Sequence, residues 1–220
     1  MSRAKSIVHA VIVMILFGLL ATPAGASTMV NNKSDWLALT SGVTTITYEG
    51  LVGGFPAQYA DYSTAGGLTV SGVNFVGVDE NANNNLRVWA EYAANVSWSG
   101  SVLEGPMGPG YVLATLPNNI TAVAVELMSY PTRNSITVTL NGAESFTVPT
   151  SNSATWVGFT SNTPISTIRF AATSSKPEID NFSFGSYNSP ADSVPEPDTI
   201  VLGAIGLAGL WLGRRLRRFR

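Results

Sequence analysis

The chain has 220 residues, no cysteine and a single histidine, and its formal net charge is −2 at pH 7. Because the histidine is His9, close to the N-terminus, the rest of the chain has no Ser–His or Cys–His catalytic pair and no histidine-bound zinc. Residues 27–194 hold five Lys and Arg against twelve Asp and Glu, a net charge of −7, so this part repels nucleic acids and anionic lipids.

The N-terminal segment has the layout of a secretory signal helix. A short basic start precedes an apolar run at 7–20, and the Ala-Gly-Ala sequence at 24–26 is the small-x-small pattern that signal peptidase reads. No polar face interrupts the run, which argues against an ordinary buried helix. We therefore predict that residues 1–26 are a signal peptide, that signal peptidase cuts after Ala26, and that the mature chain begins at Ser27.

Residues 27–187 are predicted to form one exported domain that is almost entirely β. One short helix is expected at 34–39, with Ser34 or Asn32 as its N-cap. Ten short segments rich in β-branched and aromatic residues follow, and Gly, Pro, Asn or Ser separates them. No helical period lies between these segments, so the pattern predicts an all-β fold, an antiparallel β-sandwich of jelly-roll type with a short N-terminal helix.

The clearest strand pair lies at 135–148. Apolar residues alternate with threonines up to Leu140, and Asn141-Gly142 follows, a dipeptide typical of tight hairpin turns. The sequence therefore predicts a β-hairpin here.

Two carboxylates lie near the two ends of the predicted β domain. Glu49 closes the first long predicted strand and Asp180 lies in the last. Counted with a period of two, Asp180 shares the parity of Phe182 and Phe184, so it points inward if those rings are in the core. An inward carboxylate needs hydrogen-bond donors or a cation.

Two interpretations of Asp180 stay open. In the first it caps a turn or pairs with Arg169 or Lys176. In the second it is a ligand of a structural Ca²⁺, since carboxylate oxygens suit this hard cation. Calcium is the only cofactor that the sequence suggests.

The aromatic residues suggest a different kind of site. Most of the Trp and Tyr side chains are expected in the core, because large rings dominate sandwich interiors. Trp98 has small polar neighbours, so we predict that it is exposed and stacks on sugar rings.

The C-terminal end combines a linker, an extended motif and an apolar segment. Residues 188–194 form a polar linker, and the two prolines of the Pro-Glu-Pro at 195–197 keep the chain extended. Residues 199–213 carry no charge and would make a helix of about 22 Å, short for a hydrocarbon core of about 30 Å unless the arginines beginning at Arg214 snorkel. The basic cluster predicts one transmembrane helix with its tail inside and the domain outside.

This arrangement closely resembles the PEP-CTERM sorting signal of exported Gram-negative proteins. In that family a membrane protease-transferase, exosortase, cuts near the Pro-Glu-Pro and releases or re-anchors the protein. The resemblance implies that Pro195, Glu196 and Pro197 are recognition elements and that Arg214 and Arg215 belong to the stop signal. It also implies a precursor anchored in the inner membrane and a product at the cell surface or outside the cell. The resemblance covers residues 195–220 only.

The middle domain is similar to β-sandwich domains of that sorting class and to jelly-roll carbohydrate-binding modules. The similarity rests on Tyr48-Glu49-Gly50 at the end of an early strand and on Ile179-Asp180-Asn181-Phe182 in the last one. In the carbohydrate-binding modules, a Glu and an Asp on terminal strands often hold structural Ca²⁺. The resemblance thus implies that Glu49 and Asp180 hold a structural Ca²⁺ ion in this chain.

Three functions are compatible with these features. The first is a non-catalytic surface or extracellular-matrix protein, associated with exopolysaccharide in a biofilm matrix. The second is a carbohydrate-binding module with a structural calcium. The third is a small glycan-active enzyme that uses carboxylates. Because no carboxylate pair has a recognisable catalytic setting, we expect that the protein is not an enzyme.

Overall fold

The computed structural model describes residues 26–189, except 54–56, 65, 91–97, 99, 133 and 152. The predicted signal peptide up to residue 25 and the predicted transmembrane helix at 199–213 therefore lie outside the described residues. In the part that is described, no helix combines the length and apolar character that crossing a membrane requires.

The single helix of the described part, α1, spans Lys33–Ala38 and begins at an asparagine cap. Asn32 Oδ1 accepts hydrogen bonds from the backbone N–H groups of Ser34 at 2.9 Å and Asp35 at 3.4 Å. Trp36 is buried, and its indole N–H donates to the carbonyl of Phe159 at 3.3 Å. The predicted helix is confirmed, and the tryptophan fixes it against a sheet.

The strands of the described residues have between three and twelve residues each. They are β1 Ser27–Val30, β2 Thr40–Ile46, β3 Tyr59–Asp61, β4 Leu68–Val70, β5 Val73–Val78, β6 Arg87–Trp89, β7 Val102–Glu104, β8 Tyr111–Thr115, β9 Ala122–Tyr130, β10 Ile136–Leu140, β11 Glu144–Val148, β12 Thr155–Ser161, β13 Thr167–Ala172 and β14 Lys176–Tyr187.

These strands form two antiparallel sheets. The larger sheet has the order β1-β12-β9-β14-β7-β6-β3, and the smaller has the order β11-β10-β13-β8-β5-β4. Strand β14 lies at the centre of the larger sheet, where β9 pairs with one of its sides. On its other side β7 pairs with residues 178–179 and β2 with residues 182–187. The short stretch of β14 between these two partners is where the candidate site lies.

The hydrophobic core fills the space between the two sheets. Phe182 of the larger sheet is fully buried, and its ring lies 5.2 Å from Phe75 and 6.3 Å from Phe170 of the smaller sheet, both nearly perpendicular to it. In the β10–β11 hairpin, Asn141 and Gly142 have φ values of 50° and 69°, the left-handed region that a tight hairpin turn requires. The predicted β-sandwich and its hairpin are confirmed.

A β-bulge in β14 changes the face on which Asp180 lies. The pairing with β9 shifts between Asp180 and Ser183, and Asn181 has a φ of 49°. Ile179 and Phe182 both belong to the core although they are three residues apart. The expectation that Asp180 shares the face of Phe182 is therefore wrong, because one extra residue separates the two alternations.

Candidate functional site

The outer face of the larger sheet, turned away from the smaller sheet, carries four carboxylates on three adjacent strands. We call this set the acidic face, and it consists of Glu104 on β7, Glu178 and Asp180 on β14, and Glu126 on β9. Glu104 stands opposite Glu178, and Asp180 stands opposite Glu126. Each carboxylate adjoins at least one core residue along its strand (Leu103, Ile179, Val125 or Leu127), so alternation directs the carboxylates outward.

The first pair of the acidic face is deeply buried. Glu104 is 5% exposed and Glu178 is 3% exposed. Lys176 Nζ lies 2.9 Å from Glu104 Oε1, and the indole N–H of Trp98 donates to Glu178 Oε2 at 3.1 Å. Burial raises the pKa of Glu178 to about 7, with the Glu104 charge adding to the rise. Two carboxylates thus share one cation, and Glu178 carries the proton at mildly acidic pH.

The second pair is held by an asparagine in the bulge. The Asn181 side chain donates to Glu126 Oε2 at 3.0 Å and to Asp180 Oδ2 at 3.2 Å, and its backbone N–H donates to Asp180 Oδ1 at 2.6 Å. Asp180 is 3% exposed. Burial, together with the charges of Glu126 and Glu49, raises the pKa of Asp180 to about 7.

Glu49, at the end of the segment after β2, meets Asp180 beside Gly100. A Cβ atom built on Gly100 would lie 2.5 Å from Glu49 Oε1 and 3.8 Å from Asp180 Oδ2, so both oxygens face one small space. Ser101 donates to Glu49 through its backbone N–H at 2.7 Å. The hydroxyl of buried Tyr48 has no hydrogen-bond partner among the described residues, and burial and the Asp180 charge raise its pKa.

The structure thus brings Glu49 and Asp180 together and leaves Asp180 without a basic partner among the described side chains. Lys176 pairs with Glu104. Arg169 lies over the ring of Tyr111 in the smaller sheet, with its guanidinium carbon 4.0 Å from the ring centre. Searched over the described ranges, the chain has no group of three or more Asp, Glu, His or Cys side chains arranged to hold a metal ion.

Trp98 is not an exposed platform. Only 7% of it is accessible, and it packs against Val102 and Met128 on the outer face of the larger sheet. Its small polar neighbours suggested exposure, but the indole N–H finds a buried acceptor in Glu178 and the ring covers apolar surface. The expected exposure of Trp98 is wrong, and its contacts are structural.

Among the described residues, the exposed aromatic side chain lies instead on the edge strand β3. Tyr59 is 44% exposed, and its ring centre is 5.0 Å from that of Trp89, directly opposite on β6. The guanidinium carbon of Arg87 lies 5.1 Å from the centre of the Tyr59 ring, and Arg87 Nε is 4.0 Å from Asp61 Oδ2. We call Tyr59, Asp61, Arg87 and Trp89 the aromatic edge. It offers an apolar ring face flanked by hydrogen-bond donors and acceptors.

Sequence reasoning missed most of the acidic face. In β9 the core residues Val125 and Leu127 flank Glu126, and this alternation could have placed Glu126 on the outer face. The pairing of Glu178 with Glu104 depends on the register between β14 and β7, which are more than seventy residues apart in the chain. No local sequence pattern indicates how β14 and β7 are aligned.

Comparison with known proteins confirms the predicted PEP-CTERM sorting signal. The family model of the PEP-CTERM protein-sorting motif matches residues 193–218. A PEP-CTERM motif implies an exported protein that an exosortase-like system processes. No curated protein matches the chain.

Solved structures with a similar fold include family 29 carbohydrate-binding modules. One such module is 14% identical over 64% of this chain and 95% of its own, with a TM-score of 0.35. A variant of the module CBM29-2 is also 14% identical, over 64% of this chain and 99% of its own, with a TM-score of 0.37. Another variant, complexed with cellulohexaose, is 15% identical over 66% of this chain and 100% of its own, with a TM-score of 0.34. The sandwich assignment stands on the two sheets described above.

Proposed function

We propose that the chain is a non-catalytic surface or extracellular-matrix protein that associates with a neutral exopolysaccharide. Its sorting motif supports export, since it matches at residues 193–218, directly after a folded unit whose last strand ends at Tyr187. Signal peptidase and an exosortase-like enzyme are the processing partners. The precursor is held in the inner membrane by 199–213, and the product is delivered to the cell surface or beyond it.

The aromatic edge is the observation that carries the polysaccharide part of this proposal. A pyranose ring has an apolar C–H face that stacks on an aromatic ring, and hydroxyl groups that both donate and accept hydrogen bonds. Tyr59 offers the ring face, while Arg87 and Asp61 offer a donor and an acceptor beside it. The net charge of −7 in residues 27–194 opposes acidic polymers, so the polymer is neutral.

A pull-down with insoluble neutral polysaccharides tests this association. Tyr59→Ala should reduce the retained fraction at least tenfold, because it removes the exposed ring on which a sugar stacks. Tyr111→Ala is the matched control, since Tyr111 also lies on an outer sheet face with an arginine over its ring. Equal loss in both variants, or no retention of the unmodified protein on any neutral polymer, contradicts the proposal.

Processing at the C-terminal end is tested in the native host. Replacing Pro195 and Pro197 by alanine should leave an unprocessed form in the membrane, because the extended recognition segment can then join the following helix. Pro190→Ala, in the upstream linker, should leave processing unchanged. Intact mass measurement of the mature protein reads the result, and a mature C-terminus at Arg220 contradicts the sorting role.

A second candidate function, a carbohydrate-binding sandwich with a structural calcium, is favoured by the space beside Gly100. Two carboxylate oxygens face it, from Glu49 and Asp180, and the Tyr48 hydroxyl nearby has no partner among the described residues. A Ca²⁺ ion there would take these two carboxylates and complete its shell with water or backbone oxygens. It would also offset the cost of ionising buried Asp180 above pH 7.

A further inference from the structure

The backbone nitrogen of Ser27, the first residue of β1, ties this strand to the opposite sheet. The Ser27 N–H donates to Glu144 Oε2 at 2.9 Å in a partly buried contact. Ser27 begins β1, at one end of the larger sheet, and Glu144 begins β11, at one end of the smaller sheet. The contact therefore joins the two sheets along one side of the sandwich.

This nitrogen is also the atom that signal peptidase is predicted to release. When the Ala26–Ser27 bond is hydrolysed, the C–N bond breaks and the hydroxyl of water joins the Ala26 carbonyl carbon. The remaining proton of the water goes to the Ser27 nitrogen, which at neutral pH also takes up the proton that the new Ala26 carboxyl group releases, because an ordinary α-amino group has a pKa of about 7.7–8.0. A neutral amide with one hydrogen is thereby replaced by a cation with three.

We propose that Glu144 is a receptor for the new N-terminus, so that removal of the signal peptide locks β1 onto the sandwich. In the precursor Glu144 accepts one hydrogen bond from a neutral N–H. In the mature chain the same carboxylate holds an α-ammonium in a charge-assisted contact, which is stronger than a neutral hydrogen bond. This inference goes beyond the proposed function and depends only on cleavage after Ala26.

The geometry selects one cleavage position. Each residue of an extended strand advances by about 3.3 Å, so a chain that begins one or two residues earlier carries its ammonium beyond the reach of Glu144. A chain that begins at Met29 loses the pairing of Ser27 with Ser161 and of Thr28 with Thr160. Only a start at Ser27 keeps both the strand pairing and the ion pair.

The strand that is locked in this way closes part of the core. Met29 of β1 packs against the core cluster. Beside it, the ring of Phe146 on β11 lies 5.2 Å from that of Phe159 on β12. Looser attachment of β1 therefore exposes apolar surface at the edge where both sheets end.

A four-way comparison of thermal stability tests the lock. Protein that starts at Ser27 is compared at pH 7 with protein that keeps two extra residues, Gly-Ala, before Ser27, each with and without Glu144→Gln and all otherwise full-length. The protein that starts at Ser27 should melt about 2–4 °C above the protein with the Gly-Ala extension. Glu144→Gln should abolish this difference, whereas Glu80→Gln, at an exposed turn carboxylate, should preserve it.

Acetylation of the Ser27 nitrogen provides a second readout that needs no substitution. The acetylated protein keeps Glu144 but loses the positive charge, so its melting temperature should match that of the extended form. The proposal is overturned if, with Glu144 present, the protein that starts at Ser27 and the extended protein have the same melting temperature. It is also overturned if the difference in melting temperature persists in Glu144→Gln. N-terminal sequencing of the exported protein separately tests the premise, since a start other than Ser27 removes it.

Discussion

The free energy of unfolding is expected to fall as the pH rises from about 4 to about 7. In the folded protein the pKa values of Glu178 and Asp180 are both raised to about 7, mainly by burial. In the unfolded chain both carboxyl groups titrate near 4. Between these two pKa values the folded state therefore binds more protons than the unfolded state. The free energy of unfolding is highest at the acidic end of this range, and its decrease is complete above pH 7. Each carboxylate contributes at most about 4 kcal/mol to this fall, since one pKa unit corresponds to about 1.4 kcal/mol.

Urea unfolding at pH 5 and pH 8.5, with chelator present, measures this dependence. Asp180→Asn and Glu178→Gln should each reduce the difference in unfolding free energy between the two pH values, because a neutral amide does not titrate. Asp35→Asn changes an exposed carboxylate on α1 and should leave the difference unaltered. Equal stability at both pH values in the unmodified protein contradicts the prediction.

Thermal melting with and without calcium separates the two interpretations of Asp180. If Glu49 and Asp180 bind the ion, millimolar Ca²⁺ at pH 8.5 should raise the melting temperature by several degrees, since a ligand in hundredfold excess over Kd stabilises by about 2.7 kcal/mol. Asp180→Asn should abolish this rise and Glu178→Gln should keep it. No response to calcium or chelator removes the metal site and leaves Asp180 as a structural acid.

Phe182→Ala is expected to lower the free energy of unfolding by about 3–5 kcal/mol and the melting temperature by roughly 10 °C. The ring is fully buried and makes perpendicular contacts with Phe75 and Phe170 across the two sheets, so its removal leaves a cavity at their interface. Phe146→Ala removes a phenyl ring from a half-buried edge position and should lower the free energy of unfolding clearly less. Equal losses in the two variants contradict the central role of Phe182.

Local patterns predicted the parts of the fold that local physics decides. The hairpin at Asn141-Gly142 and the cap at Asn32 depend on side chains and backbone angles within a few residues. The sandwich followed from strand length and alternation. The face of Asp180 was wrong because a period of two assumes an unbroken strand, and Asn181 inserts one residue in the left-handed region.

The candidate site was predicted only in part, because it is assembled from distant segments. Glu49 and Asp180 were paired correctly in space, yet Glu104 and Glu126 join Asp180 and Glu178 only through the registers of β7, β9 and β14. The position of Trp98 depends on Glu178, eighty residues further along the chain. Neighbouring residues alone could not indicate that a buried carboxylate would receive its indole N–H.

The short outer strands of the larger sheet bear on how copies of the protein behave when crowded. Two of its outer strands are β1, with four residues, and β3, with three, whereas β2, which among the described strands pairs only with β14, has seven. A free strand edge is a template for intermolecular pairing, and the number of unpaired N–H and C=O groups rises with its length. The edges of β1 and β3 are this short, and the net charge of −7 in residues 27–194 makes copies of the domain repel one another, so both features disfavour fibril-like association through these two strands. Copies of the domain that are crowded together can thereby remain separate molecules.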